Sequence, residues 1–442
     1  MKVAVVVQRY GADINGGAEL HARYIAEHLA RHTEVEVLTT CARDYVTWRN
    51  ELPAGVEQIG GVTVRRFPVA RARDAHDFGR RSTTVFTRTH SLADELAWLE
   101  SEGPTSPALV KHLASAADVY DWFVFFSYRY YHAFHGVRAV ASRAVLVPTA
   151  ERDAAIGLAI FPPIFRGVRA LMFNSFEERA MIQHVAGSCD LAGVVVGVGS
   201  DIPAHAEPAR FRQQFGITGP FAIYVGRIDE NKGCKELFEY FQRYTRTMPG
   251  GLQLVLIGTA ILPVPDDPRI RHLGFLSDTE KFDAMAAADV LIMPSYYESL
   301  SMVALEAWGM GKPVLANGRC DVLKGQCLRS NAGLYYASYA EFADALYSIT
   351  SSASLSEGLG RNGAAYFQRH YAWPVIERKY LDMFEQLSKE DREGRRGREG
   401  RGDRAIAAAQ IEPLPGFLAR RARTVPAAED VLGRVPAGAV RP

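Results

Sequence analysis

The sequence predicts an α/β protein with two doubly wound, Rossmann-like domains that face a cleft. Two features of the chain support this fold class. Short apolar runs alternate with helical apolar patterns along most of the chain, which is typical of parallel strands connected by helices. The same strand–loop–helix pattern starts again near residue 221, after a small-residue stretch that ends at Pro203. Clefts between two such domains are preferred ligand sites.

The first domain is predicted to span residues 1–200. Its first strand is the apolar run 3–7, which is followed by a glycine-bearing loop and an amphipathic helix. Further strands are predicted at 35–39, 62–67, 122–126 and 144–147. Residues 65–81 contain six arginines and two aspartates. We interpret this run as a solvated loop, with contact to anionic headgroups or an acceptor phosphate as the alternative.

The second domain is predicted to span residues 201–372, with strands at 221–225, 252–257, 290–293 and 313–316. Residues 373–389 are predicted to form a helix, because Pro374 suits the first turn of a helix. Only the family resemblance described below implies that this helix crosses back to the first domain. Residues 390–442 are rich in charged residues, glycine, alanine and proline. We therefore expect a disordered tail there.

The composition of the 442-residue chain is that of a soluble globular protein, with 48% hydrophobic residues and a formal net charge of +1. This balance gives no general attraction to nucleic acid, so no nucleic-acid partner is expected. The five cysteines contain no C-x-x-C pair, which favours a reducing compartment. Because no apolar run approaches the length of a membrane span, we expect a cytoplasmic protein.

The stretch 293–310 combines a buried strand, a helical apolar pattern from Ser299 and two glutamates, Glu298 and Glu306. A helix N-terminus suits a phosphate, and carboxylates can accept hydrogen bonds from sugar hydroxyls. Arg227 and Lys232 follow the first strand of the second domain and can neutralise a leaving diphosphate. Because no convincing Asp-x-Asp follows a strand, neither a metal nor another cofactor is expected. These residues predict a nucleotide-sugar site, with the nucleotide sugar as a substrate.

Gly16 and Gly17 follow the first predicted strand. The loop lacks the G-x-G-x-x-G spacing of dinucleotide sites, which argues against a Rossmann oxidoreductase. The glycines could let backbone N–H groups approach a phosphate, or they could supply a positive φ at a helix entry. Both interpretations stay open at this point.

Three motifs together resemble the retaining glycosyltransferases of the GT-B fold, family 4. They are Gly16-Gly17-Ala18-Glu19, Gly226-Arg227 with Lys232-Gly233, and Glu298-x7-Glu306, and they cover about residues 1–385. The resemblance implies that Arg227 and Lys232 neutralise the donor diphosphate, with Glu298 on the donor sugar and Glu306 on the ribose. It also implies donor contacts from the backbone of Gly16, Gly17, Ser299, Leu300 and Ser301.

Relatives of this kind often place a histidine after the strand that corresponds to 122–126. Here Ser127 occupies that position, His132 lies further along, and Glu151 follows the next strand. These three residues are candidate contacts to the sugar or acceptor, and no general base is assigned.

The resemblance implies metal-independent transfer of a sugar, with retention, from a nucleotide-diphosphate donor to a glycan, lipid-linked or small-molecule acceptor. A role in polysaccharide biosynthesis and peripheral association with the inner face of a membrane would follow for a lipid-linked acceptor. Two alternatives stay open: a nucleotide-sugar epimerase on the same fold, and a non-catalytic protein that binds nucleotide sugars.

Overall fold

A computed structural model describes residues 1–14, 16–248, 250–399 and 411–438 of the chain. Within this part the chain forms two compact units. The first combines Met1–Val198 with Ile376–Ala437, and the second contains Gly199–Val375. Each unit is an α/β structure on a largely parallel sheet, which confirms the predicted fold class.

The first unit begins with a long series of strands and helices in alternation. In chain order these are β1 (Lys2–Val6), α1 (Gly17–Leu29), β2 (Glu34–Thr40), β3 (Gly55–Ile59), β4 (Val62–Phe67), α2 (Ala75–Thr87), β5 (His90–Ser91), α3 (Leu92–Glu102), α4 (Pro107–Ser115), β6 (Trp122–Phe126), α5 (Tyr131–Ala139), β7 (Ala144–Val147), α6 (Pro162–Gly167), β8 (Ala170–Phe173), α7 (Phe176–Ala186) and β9 (Gly193–Val195). Two 3-10 helices lie at Ala141–Arg143 and Ala154–Gly157.

Eight of these strands form one sheet in the order β3-β4-β2-β1-β6-β7-β8-β9, to which β5 does not belong. Its central strands β6 and β7 are buried at every position, as expected of parallel strands covered on both faces. The strand order reverses between β1 and β6. Side chains that follow these strands therefore lie at the edge where doubly wound sheets bind ligands.

The second unit repeats the arrangement with a smaller sheet. Its elements are α8 (Pro208–Phe215), β10 (Phe221–Val225), α9 (Cys234–Thr247), β11 (Gln253–Ile257), β12 (Ile270–His272), α10 (Asp278–Ala287), β13 (Val290–Met293), α11 (Met302–Gly309), β14 (Val314–Asn317), α12 (Asp321–Ser330), β15 (Gly333–Tyr336), α13 (Tyr339–Ser351) and α14 (Ala353–His370). The strand order among described residues is β12-β11-β10-β13-β14-β15, all parallel. This order reverses between β10 and β13.

The chain continues through α15 (Trp373–Glu399), α16 (Phe417–Ala422), β16 (Thr424–Val425) and α17 (Ala428–Leu432). From Ile376 onward α15 belongs to the first unit. Its apolar face is buried there, and the Phe384 ring stacks on Trp122 with centroids 6.4 Å apart. The helix runs further than the predicted 373–389. None of the helices within the described residues has the length and apolar content to cross a membrane.

The arginine-rich run 65–81 lies largely at the surface, as expected, but only its middle part is a loop. It comprises the end of β4, a short connection and the start of α2. Its arginines are largely paired with acids, for example Arg66 with Glu57 at 2.5 Å and Arg73 with Glu102 at 2.7 Å. The excess of positive charge in the sequence is therefore offset by Asp77 within the run and by carboxylates from elsewhere in the unit.

The prediction of a disordered tail at 390–442 is wrong for residues 411–437, which we call the C-terminal arm. Val425 and Val435 are buried, and β16 pairs antiparallel with β5. A Cβ at Gly157 would lie 2.2 Å from the carbonyl oxygen of Ala428, so the arm fits closely on the first unit. Composition could not show this, because the apolar surface that covers the arm comes from distant residues. The prediction is also wrong for residues 390–399, which continue α15. Residues 400–410 and 439–442 of the predicted tail lie outside the described residues.

Candidate active site

The loop after β10 is organised by Asp229, which the sequence analysis did not identify. One carboxylate oxygen accepts the backbone N–H of Lys232 at 2.8 Å, and the other pairs with Nε of Arg227. Asp229 is buried, while half of the Arg227 side chain is exposed. The carboxylate therefore fixes both predicted diphosphate ligands. Asp229 could have been identified from the sequence, because it lies two residues after Arg227 and shortly after the end of β10.

The loop after β10 packs directly on the loop after β13 at Gly233. This residue has a φ of 72°, and a Cβ there would lie 2.0 Å from the carbonyl oxygen of Pro294. Any larger residue would therefore separate the two loops. Only glycine meets both requirements without strain.

Lys232 and Glu298 form an ion pair across these two loops. Their Nζ and Oε1 atoms are 2.8 Å apart, and the side chains are 28% and 13% exposed. The pair lies where the strand order reverses between β10 and β13, which is the usual ligand position in doubly wound sheets. The structure thus brings together two residues that are 66 positions apart in the sequence.

The helix that follows Glu298 begins later than predicted. The apolar pattern indicated a start at Ser299, but α11 begins at Met302 with Ser301 as its N-cap. Ser301 has a φ of 75°, and its hydroxyl accepts the N–H of Ala304 at 3.3 Å. A left-handed non-glycine residue costs about 1–2 kcal/mol. This tight turn leaves Ser299, Leu300 and Ser301 before the helix, at its N-terminus.

Glu306 lies about one turn into α11 and is 3% exposed. Its Oε1 accepts a hydrogen bond from Lys281 Nζ at 2.9 Å, and Lys281 also contacts Asp278 at 3.1 Å. Burial raises the pKa of Glu306, and the charge of Lys281 opposes that rise. Within the described residues, Oε2 of Glu306 has no hydrogen-bond partner. This oxygen is buried, and its contact with a ribose hydroxyl stays a prediction. Lys281 was missed because nothing in its local sequence marks it.

At the corresponding edge of the first unit, Gly16 packs against a buried ion pair. Arg9 Nε lies 2.8 Å from Oε1 of Glu19, and a Cβ at Gly16 would lie 2.1 Å from the other oxygen. Gly16 has a φ of −72°, so a positive φ does not explain this glycine. No described atom lies within 4 Å of the Cβ position at Gly17. The phosphate contact of Gly17 stays a prediction.

Ser127 lies at the end of β6, where it is 3% exposed. Its Oγ is 2.8 Å from Oγ1 of Thr149, which follows β7. Both residues have positive φ, 65° for Ser127 and 47° for Thr149. Thr149 was not identified from the sequence, because a left-handed threonine has no signature in composition or periodicity.

The other two candidate contacts differ in exposure. His132 is completely buried in α5, and Nε2 lies 3.1 Å from the carbonyl oxygen of Phe126. Burial lowers the pKa of His132 to about 4, so the ring is neutral at pH 7. The ring is covered by the protein on all sides, and its contact with the sugar or acceptor stays a prediction. Glu151 is partly exposed in the loop after β7, and its role stays a prediction.

No group of three His, Cys, Asp or Glu side chains is placed to hold a metal ion in the described part of the chain. At the edge of the second sheet, Arg227 pairs with Asp229 and Lys232 pairs with Glu298.

Comparisons with known proteins found a matching family model and similar curated sequences. The family model described as Glycosyl transferases group 1 matches residues 219–352. 2-Deoxystreptamine glucosyltransferase from Streptomyces kanamyceticus is 34% identical over 134 residues, which are 27% of this chain and 35% of that protein. Glycogen synthase from Mycobacterium tuberculosis H37Rv is 26% identical over 341 residues, or 72% of this chain and 78% of that protein. The chain thus spans about a third of the first relative and most of the second.

A solved structure supports the fold. Anabaena HepE in complex with UDP-glucose has a TM-score of 0.63 and 18% identity, covering 87% of this chain and 100% of that chain. The fold is GT-B, and residues 219–352, which match the Glycosyl transferases group 1 model, lie within the second unit. These matches confirm the predicted enzyme class, glycosyltransferase.

Proposed function

We propose that the protein is a retaining, metal-independent glycosyltransferase of family 4. Its donor would be a nucleotide-diphosphate sugar, and its acceptor a glycan, a lipid-linked glycan or a small molecule. The observation that carries this proposal is the Lys232–Glu298 ion pair at the strand-order reversal of the second sheet, within the segment that matches the family. The relatives named above, a glucosyltransferase and a glycogen synthase, support a sugar donor.

The charges of this site suit a leaving diphosphate. Arg227 and Lys232 are each held by a carboxylate, so the apo site carries no net charge from these two pairs. A diphosphate would share Lys232 with Glu298 and engage the exposed guanidinium of Arg227. The N-terminus of α11 adds a partial positive charge. Together these groups would stabilise charge that grows as the sugar–phosphate bond breaks.

In the proposed reaction the bond between C1 of the sugar and the diphosphate oxygen breaks. A bond from an acceptor hydroxyl oxygen to C1 forms on the same face. The hydroxyl proton passes to an oxygen of the departing diphosphate, so no protein base is required. Glu298 would position the sugar through its hydroxyls, and Glu306 would accept a ribose hydroxyl with Oε2.

A donor panel tests this proposal. The full chain is incubated with the common UDP-, GDP- and ADP-sugars, without acceptor and with simple glycosides, and products are followed by proton NMR. Release of nucleoside diphosphate with an α-linked product from an α-linked donor is expected. A β-linked first product would contradict retention. A new sugar nucleotide without free nucleotide would favour the epimerase, and binding without turnover would favour the non-catalytic alternative. Addition of EDTA should leave the rate unchanged if no metal takes part.

A lipid-linked acceptor would place the protein at a membrane surface, and the C-terminal arm offers a contact for it. Phe417 and Leu418 are adjacent on α16 and are 58% and 80% exposed. Arg420, Arg421 and Arg423 follow within six residues. Apolar side chains beside cations favour anionic lipid. Sedimentation with phosphatidylglycerol vesicles should require this segment, whereas equal binding of the F417S/L418S variant would contradict the contact.

A further inference from the structure

The C-terminal arm pairs with a strand that contains a buried histidine. His90 lies in β5, and Val425 of β16 is its antiparallel partner. Next to this pair, the N–H of Leu92 donates to the Arg423 carbonyl at 3.1 Å. The His90 side chain is only 1% exposed. The arm is therefore bound to the backbone of a residue whose ring is closed off from solvent.

Both ring nitrogens of His90 face hydrogen-bond acceptors. Nδ1 lies 2.7 Å from the carbonyl oxygen of Arg88, and Nε2 lies 3.0 Å from Oε1 of Glu95. A neutral imidazole can donate from only one nitrogen, whereas the imidazolium donates from both. The ring therefore satisfies both contacts only in its charged form.

Glu95 of α3 connects His90 to the segment that follows β7. This glutamate is 1% exposed. Oε1 accepts the N–H of Ala159 at 3.0 Å, and Oε2 accepts the N–H of Ile160 at 2.9 Å. Both oxygens act as acceptors, as expected of an ionised carboxylate. His90 supplies the opposite charge, so the two side chains form a buried ion pair.

The arm also contacts this segment, residues 151–160, directly. The Ala428 carbonyl packs so closely on Gly157 that a Cβ there would lie 2.2 Å from its oxygen. The guanidinium of Arg152 donates to the Pro436 carbonyl at 2.9 Å. The segment follows β7 at the edge where doubly wound sheets bind ligands. Two direct contacts and the His90–Glu95 pair thus link the arm to this edge of the first unit.

The charged groups around His90 favour its protonated form. The elements that pack against β5 carry two carboxylates of α3 and three arginines of the arm: Asp94, Glu95, Arg420, Arg421 and Arg423. Burial acts to lower the pKa of His90, but the hydrogen bonds to Glu95 and to the Arg88 carbonyl, together with the nearby carboxylates, outweigh it. The pKa of His90 is therefore raised above its ordinary value of 6.5.

We propose that the C-terminal arm is a pH-sensitive strap, held on the first unit by the His90–Glu95 ion pair. With both nitrogens protonated, His90 keeps β5 in position for β16. Once His90 loses a proton, one of its nitrogens faces an acceptor without a hydrogen, and the ion pair is lost. The arm then opens and releases residues 151–160. This inference does not depend on the proposed transferase activity.

The direction of the pH dependence follows from the two states of His90. In the open arm the ring meets solvent and its pKa returns to about 6.5, whereas in the closed arm the pKa is higher. The closed arm therefore binds more protons between these two values. The arm is held most tightly below pH 6.5, and the open fraction increases as the pH rises from 6.5 toward the raised pKa.

Hydrogen–deuterium exchange of the full chain, followed by mass spectrometry from about pH 6 to pH 8.5, tests the strap. Exchange rates are corrected for the intrinsic pH dependence of amide exchange. The open fraction should rise by up to about tenfold per pH unit, because opening releases one proton. Peptides from the arm and from 151–160 should lose protection together, while peptides from β10 and β11 serve as the control and should not change.

Two variants identify the group that titrates. His90→Gln cannot be charged, so its arm should be less protected at pH 6 and should show no pH response. Glu95→Gln removes the carboxylate that retains the proton, so the loosening above pH 6.5 should disappear. His184→Gln, at an exposed position on α7 of the same unit, should behave like the wild type. Protection of β6 and β7 shows whether each variant is folded, and the wild-type series decides if one is not.

Three results would overturn the strap. The first is a wild-type arm whose corrected protection does not change with pH. The second is a His90→Gln variant that is folded and keeps the wild-type pH response. The third is an arm that loosens while residues 151–160 stay protected, because the arm would then not hold that segment.

Discussion

Replacing Lys232 by alanine should weaken the binding of a nucleoside diphosphate about tenfold or more. The ammonium is 28% exposed and already makes a 2.8 Å contact to Glu298, so it is held in place before a ligand binds. A hydrogen bond to a charged group contributes about 1.5–3 kcal/mol. At about 1.4 kcal/mol per tenfold this corresponds to a loss of about 10- to 100-fold in Kd. Partial exposure favours the lower end of this range.

Glu298→Gln should act in the opposite direction on binding. Removal of the carboxylate charge releases Lys232 from its partner and reduces repulsion of the diphosphate. We therefore expect an unchanged or tighter Kd for the diphosphate, together with a clear fall in sugar transfer. The two variants thus separate a diphosphate ligand from a sugar-positioning residue.

Isothermal titration calorimetry with UDP, GDP and ADP measures both effects. Lys235→Ala is the matched control, because this lysine is three positions away, 65% exposed and 3.7 Å from Glu230. Its Kd should stay within about twofold of the wild type, as expected for an exposed pair. The reasoning would be refuted if the Lys232 and Lys235 variants bound alike, or if Glu298→Gln weakened binding as much as Lys232→Ala.

Three further predictions concern stability. Gly16→Ala should destabilise the first unit by about 1–3 kcal/mol, because its Cβ would overlap Glu19, whereas Gly17→Ala should not; chemical denaturation compares the two. Deletion of 411–442 should lower the melting temperature by several degrees, because it exposes the surface that the C-terminal arm covers. Calorimetry measures this change, and an unchanged melting temperature would mean that the arm is not bound. Burial lowers the pKa of His132 from 6.5 to about 4. Between pH 4 and 6.5 the unfolded chain therefore binds more protons than the folded chain, and the free energy of unfolding falls as the pH drops through this range. His132→Phe should reduce that slope by up to about 1.4 kcal/mol per pH unit, measured by urea unfolding across the window, and an unchanged slope would mean that the ring titrates normally.

Most strands of both sheets were predictable because they are buried on both faces and therefore form continuous apolar runs. The strands 122–126, 144–147, 221–225 and 290–293 have the predicted bounds. The C-terminal arm was not predictable, since its few apolar residues are covered by surface from the first unit. A prediction of disorder from composition considers only the apolar surface that a segment can bury within itself.

The site was predictable where a charged residue directly follows the end of a predicted strand. Lys232 and Glu298 lie after β10 and β13, and parallel strands bring their ends together. The start of α11 was misplaced because apolar periodicity cannot reveal the positive φ of Ser301. Lys281 and Thr149 were missed for a related reason: their importance depends on a partner or a backbone conformation that exists only in the folded chain.

The most direct test of the donor site compares nucleoside diphosphates with monophosphates in thermal unfolding of the full chain. Arg227, Lys232 and the N-terminus of α11 are proposed to hold the diphosphate, so UDP, GDP or ADP should raise the melting temperature. The matching monophosphate at the same concentration should raise it much less. The stabilisation by a ligand grows with the logarithm of one plus the ratio of its free concentration to its Kd, and the monophosphate should have the higher Kd. Equal shifts for the two phosphorylation states, or no shift with any diphosphate, would contradict the account.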